Sequence, residues 1–196
     1  MKSLAISELA FCVPQGSPPP WRSYLQTKFT PCMYPLPTIR VATKEDEEGL
    51  WNILEPVIRK GGAYVFSLDK SKKSLMDYWL GTEKTTFAVE RGGELVGTFY
   101  LKANQEGLGD HVCNAGFVVA QEAEGQGLGR WMGTIALEEA KKRGYLAMQF
   151  NFVIQTNLPA VQLWKSLGFS VLGEIPEAYR HPKLGLVSAL IFYKKL

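Results

Sequence analysis

Phe117-Val118-Val119-Ala120-Gln121-Glu122-Ala123-Glu124-Gly125-Gln126-Gly127-Leu128-Gly129-Arg130 decides how this chain is read. A run of β-formers leads into three alternating glycines, and Leu128, Trp131, Met132 and Ile135 then share one helical face up to Gly144. Glycines reach φ > 0 and carry no Cβ, so successive backbone N–H groups can converge on one point. The start of the following helix adds unpaired N–H groups and the positive end of its dipole. Together these make an anion site suited to a pyrophosphate, to which Arg130 can add a charge-assisted contact. The competing reading is a plain glycine-rich connection.

Two nucleotide readings fail on spacing. There is no G-x-x-x-x-G-K-[ST] run, and Gly127-Leu128-Gly129 is followed by Arg130, Trp131 and Met132 rather than completing G-x-G-x-x-G. The acidic ribose partner expected about 20 residues on is missing too, since Gln149 to Phe152 occupy that place.

Outward from this stretch, the chain alternates strands and helices. Thr38 to Ala42 reads as a strand, and Thr43 with Asp46 as a capping box. Leu50, Ile53, Leu54, Val57 and Ile58 then follow at helical spacing, kinked or shortened by Pro56 and stopped by Gly61-Gly62. Leu75, Tyr78 and Trp79 suggest a short helix. Thr85–Glu90 and Leu95–Leu101 form a hairpin around Arg91-Gly92-Gly93-Glu94. His111 to Val119 is a strand. Ala147 to Ile154 is another, with Met148, Phe150 and Phe152 alternating with Gln149, Asn151 and Val153. Asn157 to Leu167 is a helix ended by Gly168, and Ser170–Glu174 and Leu186–Tyr193 close the chain as strands. Residues 1–37 stand apart as a proline-rich extension, either a flexible arm or, as its aromatics favour, an extended lead-in that Trp21, Tyr24 and Phe29 pin to the domain at 38–196.

Composition removes several classes. A 46% hydrophobic and 21% charged chain with net charge +3 reads as an ordinary globular protein, and its scattered lysines and arginines point away from nucleic acid. Three cysteines without C-x-x-C spacing suit a reducing cytoplasm and supply neither a disulfide framework nor a zinc site, so no metal is expected. Glu8 interrupts the apolar run after Lys2, which argues against a signal peptide, and no stretch is long enough to span a membrane.

The glycine stretch resembles motif A of the GCN5-related N-acetyltransferases, [QR]-x-x-G-x-[GA], through Gly125, Gln126, Gly127 and Gly129, although Glu124 stands where Gln or Arg is usual. Asn157-x-x-Ala160-x-x-Leu163-Trp164-x-x-x-Gly168-Phe169 resembles the same family's motif B. The resemblance covers roughly Thr38 to the C-terminus. It implies an α+β fold whose mixed, largely antiparallel sheet is splayed between its fourth and fifth strands and flanked by about four helices. It also implies acetyl-CoA as cofactor, its pyrophosphate on the loop from Glu124 through Leu128 to Arg130. The pantetheine arm would lie along Phe117, Val118 and Val119, with a backbone N–H near Val118 facing the thioester oxygen. A homodimer through the sheet is a further implication.

The acceptor side is less determined. Many relatives carry a Glu base before motif A, but His111 to Phe117 contains no carboxylate, which leaves His111 as a candidate base or a surface residue. Cys113 reads as a buried thiol. Where relatives place a proton-donating Tyr this chain has Trp164, whose indole cannot protonate a thiolate. Asn114, Asn151 and Asn157 resemble a narrower group, the fungal acetyltransferases that act on proline analogues such as azetidine-2-carboxylate. By that resemblance Asn114 and Asn151 face the substrate and Asn157 bonds the pantetheine arm. Asn157 also reads as a helix N-cap, and Asn151 in mid-strand as a buried amide needing partners. Tyr64, Phe66 and Tyr78 on one side, and Tyr179, Arg180 and His181 on the other, are candidate walls. The leading expectation is acetylation of a small-molecule amine, an amino acid or its analogue. A non-catalytic acetyl-CoA sensor and a protein acetyltransferase remain open beside it.

Overall fold

The computed structural model describes residues 35–196. In chain order it contains β1 (Thr38–Val41), α1 (Glu47–Lys60), α2 (Lys72–Trp79), β2 (Lys84–Arg91), β3 (Glu94–Ala103) and β4 (Val112–Val119). Then follow α3 (Leu128–Lys142), β5 (Ala147–Ile154), α4 (Leu158–Ser166), β6 (Ser170–His181) and β7 (Gly185–Lys195). The expected anchoring of Trp21, Tyr24 and Phe29 lies outside the described residues.

The strands form one seven-stranded sheet in the order β1-β2-β3-β4-β5-β7-β6. Every neighbouring pair is antiparallel except β4–β5, which a helical crossover makes parallel. The sheet is therefore mixed and largely antiparallel, as expected. Side chains alternate across it, so consecutive residues of β3 serve opposite layers. Thr98 accepts from Trp79 Nε1 of α2 at 3.0 Å on one face. Gly97 faces the other layer, where a Cβ would lie 2.9 Å from Met132 Sδ of α3. Trp79, Phe99, Leu128, Met132 and Phe192 are fully buried at the centre.

Three local expectations are refined. Of the two effects expected of Pro56, shortening does not occur, and α1 runs on to Lys60 before Gly61. The carbonyl that Pro56 leaves unpaired, that of Asn52, belongs to an exposed residue on the solvent side of the helix. On α3 the buried stripe is Leu128, Met132, Gly133, Ala136 and Ala140, while Trp131 and Ile135 are half-buried at its margin. β6 runs to His181, well past its expected end at Glu174, with register shifts between Val171/Gly173 and Ile175/Tyr179 absorbing its irregular sequence, while β7 keeps close to its expected bounds.

The first turn of the domain carries its clearest ion pair. Arg40 grips Asp46 with both terminal nitrogens, at 2.7 and 2.6 Å, and Thr43 N–H donates to the same carboxylate at 2.7 Å. Arg40, partly opposed by burial, holds the Asp46 carboxyl down to about 2. A depressed folded-state value stabilises the fold fully above the unfolded value of about 4 and is lost as pH falls through about 2. Asp46→Asn is expected to lower stability by about 1–3 kcal/mol at pH 7. Denaturant titrations should show that deficit shrinking below about pH 4. A deficit unchanged at pH 2.5 would remove the ionic account.

Candidate active site

The parallel pair β4–β5 meets only at Val112↔Ala147 and Cys113↔Met148, and beyond Cys113 the strands part. β4 stays on β3 as far as Val119, while β5 stays on β7 through an irregularity between Phe150 and Val153. Leu146 N–H reaches His111 C=O on the β5 side, whereas Asn104 N–H reaches Val112 C=O and Ala120 N–H reaches Val96 C=O on the β3 side. Ladder alternation then turns the backbone of Asn114, Gly116 and Val118 toward β3, and that of Ala115, Phe117 and Val119 into the gap. Accordingly Phe117 C=O accepts from the Tyr64 hydroxyl at 3.0 Å. The expected backbone contact at Val118 is corrected: its N–H is engaged opposite Thr98, and its neighbours face the gap.

At the end of β4 the glycine stretch closes into the N-terminus of α3. Gly125 and Gly127 have φ of 72° and 80°, and a Cβ on either would meet nothing within 4 Å. Gly127 is the N-cap, and the first bond of the helix is Trp131 N–H to Gly127 C=O at 3.1 Å. The N–H groups of Gly127, Leu128, Gly129 and Arg130 therefore precede the helical ladder and point out of its start. Glu124 is exposed. Gln126 is fixed by Glu122 C=O and Arg91, and Arg130 donates to Ser166 of α4 at 2.8 Å.

A cavity of about 320 Å³ opens in the gap. One wall is aromatic: Tyr64 stacks on Phe66, and Phe66 meets Tyr78 edge-on with centroids 4.9 Å apart. Tyr78 and Tyr100 share a hydrogen bond of 3.1 Å. Gly116 is small because the Tyr100 ring lies across it; a Cβ there would come within 2.5 Å of that ring. Loss of hydration pushes the Tyr64 phenol above its ordinary value, and Tyr100 likewise, so both stay protonated and can donate. The opposite wall is made of amides. Asn114 donates to Gln149 C=O at 2.9 Å across the opening, Gln149 donates to Asn151 at 2.8 Å, and Asn151 to Asn104 at 2.7 Å. Phe117, Phe150 and Trp164 close the floor, with ring centroids 4.5–6.2 Å apart.

The cavity thus gathers Tyr64, Phe66, Tyr78, Asn114, Phe117, Asn151, Asn157 and Trp164 from the sequence-level candidates. Asn151 is exposed to the opening rather than buried, so its partners are polar neighbours at a cavity wall. Asn157 caps α4 through Ala160 N–H at 3.3 Å while also lining the cavity. His111 does not line the cavity: it is exposed before β4, on the closed side of the Val112↔Ala147 pair. His181 is also outside it, accepting from Lys183 and Leu184 N–H in the β6–β7 turn, while Tyr179 receives Gly62 N–H at 2.9 Å. The Cys113 thiol is fully buried and pushed up to about 12 by burial, so it offers no thiolate near neutral pH. Tyr100, Lys102 and Asn104 also line the cavity; in the sequence Tyr100 is one residue of the Leu95–Leu101 strand, and Lys102 and Asn104 follow it without a signal of their own. No group of three or more His, Cys, Asp or Glu able to hold a metal occurs among the described residues.

Residues 50–169 match the model of the acetyltransferase (GNAT) family. The chain belongs to that family. It is 35% identical over 95 residues to N-acetyltransferase aca1 of Schizosaccharomyces pombe, covering 48% of this chain and 46% of that protein. It is 31% identical over 141 residues to mycothiol acetyltransferase of Streptomyces bingchenggensis, covering 68% of this chain and 42% of that protein. The match therefore spans less than half the length of either relative. The solved GCN5-related N-acetyltransferase from Kribbella flavida superposes with a TM-score of 0.77 at 31% identity, over 82% of this chain and 98% of that one. The fold is shared too by yncA from Salmonella typhimurium, solved with its cofactor acetyl-CoA, at a TM-score of 0.71 and 20% identity, over 82% of this chain and 94% of that one.

GNAT acetyltransferases use acetyl-CoA, and two features of this chain fit that molecule. The start of α3 offers convergent N–H donors with no Cβ in the way at Gly125 or Gly127, which suits a pyrophosphate. The gap-facing backbone of Ala115, Phe117 and Val119 has no strand opposite it, which suits an extended amide-bearing arm.

Proposed function

We propose that this GNAT protein is an acetyl-CoA-dependent N-acetyltransferase of a small amino acid or amino-acid analogue, acting by direct transfer in a ternary complex. The observation that carries this reading is the cavity between the parted strands: aromatic on one side, amide on the other, and free of carboxylates among its described lining residues. A polycationic acceptor such as a polyamine would want acidic walls. A small amine with its own polar groups suits amides that both donate and accept.

Bound acetyl-CoA would supply the activated acyl group. The N–H groups of Gly127, Leu128, Gly129 and Arg130 would hold its pyrophosphate, and Asn157 and Phe117 would line its arm. Phe117 N–H or Val119 N–H, both turned into the gap, would stabilise negative charge developing on the acyl oxygen. Asn114 and Asn151 would orient the acceptor amine, which must arrive neutral to attack. Its proton leaves to water at the open mouth, since no carboxylate or histidine stands at this wall among the described residues. The departing thiolate would take its proton from water at the same open mouth, since position 164 carries an indole and burial makes the Tyr64 phenol, which donates to Phe117 C=O, too weak an acid to supply it. Covalent relay through Cys113 is disfavoured because its thiol stays protonated.

The test is thiol release from acetyl-CoA against a panel of small amino acids, azetidine-2-carboxylate, polyamines and peptides. Turnover should concentrate on one small amino acid or analogue, and Asn151→Ala should lower kcat/KM about three- to tenfold, the value of one neutral hydrogen bond. Turnover confined to peptides would replace the substrate class. Silence across the panel, with acetyl-CoA still bound, would replace catalysis with sensing.

A further inference from the structure

Among the described residues that line the cavity, one is a cation. Lys102 of β3 lies opposite Asn114 of β4, in a pair that shares one face of the sheet, and both line the cavity. The position is the first beyond the paired end of the gap, since Cys113 is the last residue of β4 that meets β5. Asn104, two residues further along the chain, accepts from Asn151 across the same opening. Half-buried Lys102 thus shares the cavity lining with amides and phenols.

Its neighbours do not neutralise it. Among the described residues Lys102 makes no side-chain hydrogen bond and no ion pair, and no Asp or Glu lines the cavity. Glu83 feels its charge at longer range, but that carboxylate is bonded to Lys84 at 2.6 Å; Lys84 donates to Tyr78 C=O and lies over the Tyr78 and Tyr100 rings without lining the cavity itself. A cation in a partly desolvated wall, without a fixed counter-charge, retains its attraction for an anionic guest. One ammonium flanked by amide donors matches a single negative charge. A phosphate would call for a second cation.

We propose that Lys102, with Asn104 and Asn114 beside it, is a carboxylate subsite that selects acceptors bearing an acid group next to the amine. The subsite rests on the acetyltransferase reading above and names what that reading leaves open: amino acids are favoured over plain amines because their carboxylate is held at the closed end of the gap. The amine is then directed along β4 toward the gap-facing backbone of Phe117. Lys102 is a binding residue here and takes no part in moving the proton.

The experiment compares azetidine-2-carboxylate, its primary amide and azetidine in the wild type, Lys102→Met and Lys102→Arg. Methionine keeps the length and apolar stem of lysine, so the fold is expected to survive. Lys102→Met should lower kcat/KM for the acid about ten- to hundredfold, chiefly through KM, and leave the amide within about twofold. Lys102→Arg should recover most of the loss. Comparing ratios between enzymes cancels the intrinsic reactivity of each amine. Calorimetric titration of acid and amide into the CoA-loaded protein reads the same contrast without turnover. Equal losses for acid and amide, or none for either, would overturn the subsite. If none of the three amines turns over, the acetyltransferase reading fails for this class. The titration then decides the subsite separately: tighter binding of the acid, abolished in Lys102→Met, sustains it, and equal binding of acid and amide overturns it.

Discussion

Gly127→Asp is expected to cut kcat/KM for acetyl-CoA at least a hundredfold in a protein that still folds. Gly127 is the N-cap of α3 with φ 80° and ψ −1°, and the space its Cβ would enter is open. Aspartate tolerates the left-handed region better than most residues, so the strain is held to about 1–2 kcal/mol. A carboxylate at a helix N-terminus also complements the dipole, which offsets part of that strain. What the substitution removes is the vacancy for an anion. The carboxylate would occupy the point on which the N–H groups of Gly127 to Arg130 converge, and would repel a pyrophosphate at close range. Gly144→Asp is the matched control: its φ is 84°, it too has nothing within 4 Å, and it follows the far end of the same helix. Stability should fall at least as much there, with activity retained. The readouts are kcat/KM, calorimetric affinity for CoA and thermal midpoint for each variant. CoA binding within threefold of wild type in Gly127→Asp would mean that the glycine loop is not the cofactor site.

That loop was legible in the sequence because its chemistry is local. Three alternating glycines between a strand and a helix state their own conformation, and the N-cap at Asn157 is equally local. Features set by pairing were harder to see. Which β4 backbone groups face the gap depends on a parity that one residue of register reverses, so Val118 and its neighbours could not be told apart without the β3 partner. Lys102, just past the strand expected at Leu95–Leu101, carries no signal in the sequence; it gains a role only where β5 parts from β4 and leaves a cavity beside it. His111 is a candidate base by its place before the glycine stretch and His181 a candidate wall, yet one stands at the outer end of a strand and the other in a hairpin turn. The Tyr179–Gly62 bond links positions 117 residues apart, and no periodicity could announce it. Asn151 was noticed for a valid reason, an amide in a strand, but its true setting is the opening itself.

Trp164→Ala is expected to cost about 3–5 kcal/mol, the range for removing a large buried aromatic. In a chain of this size that lowers the thermal midpoint by roughly 6–20 °C. Trp164 is 7% exposed, and its ring contacts three others, with centroids 4.5 Å from Phe150, 4.9 Å from Phe117 and 5.8 Å from Phe169. These residues come from β5, β4 and the turn after α4, so the ring ties both parted strands to one helix. Where the ladder stops at Cys113 and Met148 no backbone bonds hold the strands at their distance, and this aromatic box takes over that task. The loss should therefore appear in function as well as in stability. With the box collapsed, the gap has no fixed width, and affinity for CoA should fall together with the midpoint. Trp164→Phe separates the two effects by keeping a ring in the box while shrinking it, and should retain most of the stability and a measurable affinity. If Trp164→Ala instead costs less than about 1 kcal/mol, the strands are held apart by something other than the box. The polar bridge from Asn114 to Gln149 would then be the next element to remove.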